Sequence, residues 1–255
     1  MPRFTITDHN GLKLAAVYHE PATSGNYPLV LMLRGFTGYK EEEHIVSLAN
    51  SLAAAGIAAL RFDAPGSGES EGSWAEDYRV TKYLDDISDV YEYAVQNLPV
   101  DPLRIAIWGH SMGGLVALTA ACRLPNTFIA ACGSQPSSGK KVLTPAEDST
   151  WRIDGWFTFK SGHHGDIALP YAYLIDRSQY NLLAEIPQIG MPLLLIAGTT
   201  DKLVPAESVR LIAEAAPEPK QYLEYNTGHD YEKYPKMLKQ INDATVDFFR
   251  VYLKP

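Results

Sequence analysis

The chain has 255 residues but only two cysteines, Cys122 and Cys132, too few for a disulfide framework, and they need not pair. It contains no C-x-x-C and no H-E-x-x-H, so the usual zinc-cluster and zinc-hydrolase spacings are absent. No run reaches the 18 or so uninterrupted apolar residues of a membrane span, and the start, Met1-Pro2-Arg3-Phe4, lacks the apolar stretch of a signal peptide. A soluble, cytoplasmic protein is expected, although the mature form of a secreted protein would read the same. Basic residues are also short, 22 against 30 acidic for a net charge of −8, which argues against a nucleic-acid binder and against an anionic membrane surface. The expected partner is a small molecule, in a monomer or homodimer. The acidic balance further suggests that neutral substrates are favoured over highly anionic ones.

What is present is enough apolar residue, 46% of the chain, to build a core without staples. Arg3–Asp8 and Leu12–Tyr18 alternate in polarity around Asn10-Gly11, both tolerant of positive φ, and predict an antiparallel hairpin. The pattern then changes to short, almost wholly apolar runs at Leu29–Leu33, Ile57–Phe62, Ile105–Trp108, Phe128–Cys132 and Leu193–Ala197. Helix-period stretches separate them: Ile45, Leu48, Ala49 and Leu52, then Leu84, Ile87, Val90 and Ala94, then Leu115–Cys122 and Ser208–Ala216, with Met237–Phe249 closing the chain. Such alternation predicts one domain, 1–255, with a mostly parallel sheet covered by helices on both faces. One interval breaks the rhythm. Residues 134–190 are too many for a crossover helix, and their aromatics, including Trp151, Trp156, Tyr173 and Tyr180, predict an ordered insertion that caps one end of the sheet.

The sharpest signal is Gly109-His110-Ser111-Met112-Gly113-Gly114, between the apolar run Ile105–Trp108 and the helix near Leu115. A G-x-S-x-G in a strand–turn–helix context is a nucleophile elbow. Its glycines permit a tight turn that pushes the serine out at the sheet's carboxyl edge. A hydroxyl needs a general base, itself oriented by a third group. In this architecture the acid follows the serine and the histidine follows the acid. Asp201 lies just past the run Leu193–Ala197, and His229 lies just past the strand-like Tyr222–Tyr225, so both loops open at the edge where Ser111 must lie. Asp230 is the rival acid, but a residue adjoining His229 cannot easily reach its Nδ1, and Asp201 is preferred. His163 and His164 are adjacent and make a poor metal pair.

The backbone N–H groups of Met112 and Phe36, the latter in the loop Arg34-Gly35-Phe36-Thr37-Gly38, are the candidate oxyanion donors. Gly66-Ser67-Gly68 tempts a dinucleotide reading, but the third glycine position is Glu71 and no helix opens there. The segment reads as a structural turn.

At these residues the chain resembles an α/β-hydrolase of the serine-esterase type, from the hairpin to the last helix. Within that superfamily it is similar to the small feruloyl (cinnamoyl) esterases, which carry an H-G-F-T-G loop, a G-H-S-x-G-G elbow and a compact insertion after the sixth strand. Gly35-Phe36-Thr37-Gly38, Glu43-His44-Ile45-Val46 and Gly109–Gly114 carry the likeness. The resemblance implies an eight-stranded α/β-hydrolase sheet, Ser111, Asp201 and His229 as triad, Phe36 and Met112 as oxyanion donors, and no cofactor or metal. Arg34 stands where that group has histidine. The group holds its phenolic ring through the insertion, where Tyr173 and Trp156 are the candidate substrate-binding residues.

The sequence therefore reads as a carboxylesterase for short-chain or aryl esters, hydroxycinnamoyl esters included. Two alternatives remain open: a peptidase or thioesterase using the same triad, which shares the acyl-serine intermediate, and a ligand-binding receptor on a hydrolase fold.

Overall fold

A computed structural model describes residues 2–124, 126–138 and 145–254. Eight strands form one sheet in the order β1-β2-β4-β3-β5-β6-β9-β10. They are β1 (Arg3–Thr7), β2 (Lys13–His19), β3 (Tyr27–Leu33), β4 (Ala58–Phe62), β5 (Val100–His110), β6 (Ala131–Ser134), β9 (Leu193–Gly198) and β10 (Lys220–Tyr225). β2 pairs antiparallel with both β1 and β4, and all other pairs are parallel, so β2 alone runs against the rest. The β1–β2 connection is longer than a two-residue turn. Asp8 Oδ1 accepts from the N–H groups of Asn10 (2.9 Å) and Leu12 (2.7 Å), which organises the loop around Gly11 at φ 86°.

The continuous apolar strands are explained by burial on both faces. Leu29, Leu31, Ile105, Ile107, Leu193 and Leu195 belong to the cluster that includes α2 (Val80–Asn97), α3 (Met112–Arg123) and α7 (Ala206–Ala215). Their neighbours in sequence, Val30, Met32, Ala106, Trp108 and Leu194, pack instead with α1 (Glu43–Ala54) and α8 (Pro235–Tyr252). Alternate side chains thus hold a helical layer on each side. β6 differs from its expected span, Phe128–Cys132: Gly133 and Ser134 pair opposite Gly109 and His110. Pairing with the carboxyl end of β5, rather than hydrophobicity, sets where it stops. Cys122 and Cys132 are unpaired, and no described helix is long and apolar enough to cross a membrane.

Between β6 and β9 the chain forms α4 (Pro145–Asp154), the antiparallel pair β7 (Trp156–Ser161) and β8 (Gly165–Pro170), α5 (Tyr171–Ser178) and α6 (Leu182–Glu185). This insertion is fastened to the body at several points. Asp176 Oδ2 accepts from Val80 N (2.7 Å) and Thr81 N (3.2 Å), capping α2, whose own N-cap residue provides no side-chain bond. Arg123 grips Glu185 through two hydrogen bonds of 2.9 and 2.8 Å. At the hairpin tip the His163 ring stacks on Tyr39, while His164 meets Trp74 edge-on.

Candidate active site

β5 delivers Ser111 to the carboxyl edge of the sheet with φ 55° and ψ −118°, a conformation costly for a residue with a Cβ. The flanking glycines are required by close approach. A Cβ on Gly109 would lie 2.0 Å from Gly113 O, and one on Gly113 would lie 2.4 Å from Leu33 O. Ser111 N donates to Ser134 O (3.0 Å), and Ser111 O accepts from both Leu115 N and Ser137 N. Met112 opens α3, so its N–H has no intrahelical acceptor.

His229 Nδ1 and Asp201 Oδ2 are 2.7 Å apart. Asp201 is buried, and its other oxygen accepts from Leu203 N (2.8 Å) and Val204 N (2.9 Å). Asp230, the rival acid, pairs with Lys233 instead. Ser111 and His229 line one cavity of about 650 Å³, with Phe36 and Met112 beside them. Among the described residues no hydrogen bond joins the serine hydroxyl to the His229 ring, and such contacts often tighten only when substrate binds. Beneath His229 lies His110 (centroids 4.7 Å apart), which in turn meets His44 (4.7 Å). Burial pushes the His44 ring down to about 3 and His110 well below the ordinary imidazole value, so both support His229 as neutral rings.

The oxyanion loop is braced from below by Arg34. Its guanidinium is fully buried and donates to Gly35 O (2.8 Å), Tyr78 OH (3.0 Å) and Ser67 Oγ (2.6 Å), while lying over the Tyr78 and Tyr83 rings. Tyr78 OH also accepts from Thr37 N (2.7 Å), and Thr37 takes the positive φ of the turn, 53°. Gly35 has no positive φ; a Cβ there would sit 3.4 Å from Ser111 Cβ. Gly66-Ser67-Gly68 serves as part of this brace through Ser67.

Neither candidate substrate-binding residue lines the cavity. Trp156 is half exposed on the hairpin, because strand alternation turns Phe157 inward and Trp156 out. Trp151, on α4, is the buried tryptophan, its Nε1 donating to Leu169 O (3.0 Å). Tyr173 is buried beneath Phe36 (centroids 5.5 Å) and donates its hydroxyl to Met112 Sδ at 3.2 Å.

Two further residues carry no sequence signal of their own. Gln135, at φ 47°, donates Nε2 to Asp201 Oδ2 (2.9 Å) and to Gly228 O (2.9 Å), tying together the loops that carry the acid and the histidine. Its place just past a strand's carboxyl end is the one clue. Arg177 of α5 lines the cavity, with Lys160 of β7, whereas Glu42, Asp230 and Glu232 supply acidic groups from the oxyanion and histidine loops. Burial pushes the Glu42 carboxyl up to about 7 against the opposing pull of Arg34, and it also raises Glu232.

A sheet of this order with a serine elbow and a carboxylate–imidazole pair at one edge defines a serine hydrolase of the α/β-hydrolase fold. The chain belongs to the family described as Serine aminopeptidase, S33, whose family model matches residues 29–157. It is similar in structure to Est1E from Butyrivibrio proteoclasticus with ferulic acid bound: TM-score 0.82, 25% identity, 97% of this chain and 98% of that one covered. The quorum-quenching protein AidA of Acinetobacter baumannii is 23% identical over 95% of this chain and 92% of its own. The thiohydrolase aneE of Aspergillus aculeatus is 34% identical over 44% of this chain and 35% of its own.

Proposed function

We propose that the chain is a carboxylic-ester hydrolase acting on short-chain or aryl esters, hydroxycinnamoyl esters among them, through an acyl-Ser111 intermediate. The observation that carries this reading is the 2.7 Å His229–Asp201 pair in the same cavity as a serine held at φ 55°. His229 Nε2 takes the Ser111 proton as Oγ attacks the ester carbonyl, and Asp201 stabilises the imidazolium without becoming protonated. The N–H groups of Phe36 and Met112 receive the developing oxyanion. His229 then protonates the leaving alcohol, and water repeats the sequence to release the acid. The scheme calls on no cofactor or metal.

The likeness to Est1E supports the aryl-ester reading. A second reading, release of an N-terminal amino acid, is favoured by the acidic groups Glu42, Asp230 and Glu232, which suit a substrate ammonium. The deciding experiment is a panel of 4-nitrophenyl esters of increasing chain length, methyl ferulate, aminoacyl 4-nitroanilides and an acyl thioester. Fast turnover of the esters is expected. Preference for the anilides would favour the peptidase, preference for the thioester a thioesterase, and uniformly slow turnover a ligand-binding role.

A further inference from the structure

Among the described residues Arg177 is the one guanidinium lining the cavity, and it is 7% exposed. Nη2 donates to Ser137 Oγ at 2.7 Å, and among the described residues its enclosed Nε has no acceptor. Among the described residues no carboxylate lies within ion-pair distance of it. Among the described residues Arg61 pairs with Glu41 at 2.8 Å; Arg34 and Arg79 also lack a carboxylate partner, and the Arg34 Nε is likewise unbonded, but Arg34 is spent on three oxygens and two aromatic faces, Arg79 on two backbone carbonyls, and neither lines the cavity. A guanidinium withdrawn from water without an anion is costly unless an anion arrives. A guanidinium that lines a cavity can offer its outward N–H groups to a carboxylate in charge-assisted hydrogen bonds.

The position of the guanidinium relative to the reacting atoms follows from two hydrogen bonds. Arg177 is tied to the Ser137 hydroxyl, and Ser137 N donates to Ser111 O at 3.0 Å. The guanidinium also abuts Tyr173, whose hydroxyl is bonded to Met112 Sδ. Tyr173 also packs against Phe36 (centroids 5.5 Å apart), so this neighbour touches both oxyanion-donor residues, whereas the leaving alcohol must face His229 to be protonated. A carboxylate held by Arg177 therefore belongs to the acyl half of the substrate.

We infer that Arg177 recognises a carboxylate on the acyl group, so that the preferred substrates are half-esters of dicarboxylic acids. This rests on the ester-hydrolase reading and narrows its substrate class. The net charge of −8 suggested neutral substrates, but a whole-chain balance says little about one enclosed guanidinium.

The experiment compares mono-4-nitrophenyl glutarate, adipate and suberate with their methyl-capped counterparts, in wild type, Arg177→Gln and Arg177→Lys. For at least one chain length the wild-type kcat/KM is expected to be about tenfold or more higher for the free carboxylate than for the capped ester. In Arg177→Gln this ratio should fall to about one or below, and Arg177→Lys should restore part of it. Because the ratio is taken on one preparation, it does not depend on the folded fraction. If Arg177→Gln yields no folded protein, wild type decides, with adipate expected to inhibit capped-ester turnover competitively at least tenfold more strongly than monomethyl adipate. A wild-type ratio at or below one at every length, or an unchanged ratio in Arg177→Gln, overturns the inference alone. Absence of turnover of every ester, capped or not, overturns the hydrolase reading and this inference with it.

Discussion

Gln135 Nε2 and His229 Nδ1 converge on the same oxygen of Asp201, at 2.9 and 2.7 Å. The glutamine thereby fixes the carboxylate that orients the candidate base, and it also fixes the His229 loop through Gly228 O. Replacing it by methionine keeps the shape and removes the donor. Gln135→Met is expected to lower kcat about 10- to 100-fold, the worth of one hydrogen bond to a charged acceptor, with little change in KM. Steady-state kinetics on a 4-nitrophenyl ester reads this, and an unchanged kcat would remove Gln135 from the machinery.

The Tyr78 hydroxyl serves two donors, Thr37 N and Arg34 Nη1, both beneath the oxyanion loop. Tyr78→Phe leaves the part-buried Thr37 N–H and one N–H of the buried Arg34 guanidinium without this acceptor, at a cost of about 1–3 kcal/mol. For a chain of this size the melting temperature is expected to fall about 2–4 °C per kcal/mol. A drop in kcat should accompany it as the Phe36 N–H loses its placement. Unaltered kcat with a lowered Tm would mean that the brace is structural only.

Asp86, on α2, is 1% exposed and both its carboxyl oxygens are enclosed without a hydrogen-bond donor. Burial, with Asp8, Asp89 and Asp85 adding their charges, pushes its carboxyl up to about 8. The unfolded chain releases the same proton near the ordinary carboxylate value of about 3.9. Between these values the folded state binds more protons, so this contribution to stability is complete below about pH 4 and lost as pH rises to about 8. His9, which faces the same cluster through Asp89, is held protonated to higher pH by that partner, so its own contribution is likewise lost as pH rises. Asp86→Asn should therefore raise Tm at pH 8 by a few degrees, with the gain shrinking towards pH 4. Parallel Tm–pH curves for the two proteins would contradict this.

The sheet was legible in the sequence because strands buried on both faces have no polar alternation to confuse with anything else. Leu29–Leu33 and Leu193–Ala197 read as strands for that reason. Ser111 was legible because the elbow's glycine spacing is short, the Gly109 approach to Gly113 O being local even though that of Gly113 to Leu33 O is not, and Asp201 and His229 because each follows a strand's carboxyl end. The end of β6 was not, since pairing with β5 draws Gly133 and Ser134 into the sheet without any apolar signal. Nor were Gln135 and Arg177. Their partners Asp201 and Ser137 lie 66 and 40 residues away, and only the folded chain joins them. The two tryptophans show the same limit: composition announces an ordered insertion, but only the packing of α4 against the hairpin puts Trp151 inside and Trp156 out. Arg34, a charge in an apolar setting, reads as an anomaly until the Tyr78 and Tyr83 rings and Ser67 surround it.

The central claim is that Ser111 is the nucleophile, and the most direct measurement is the mass of the protein after exposure to diisopropyl fluorophosphate. One equivalent of phosphoryl adduct is expected, mapped to the Ser111 peptide, with labelling abolished in Ser111→Ala and ester turnover reduced roughly 10⁴- to 10⁶-fold in that variant. An adduct on another serine, or an alanine variant that keeps full activity, would contradict it.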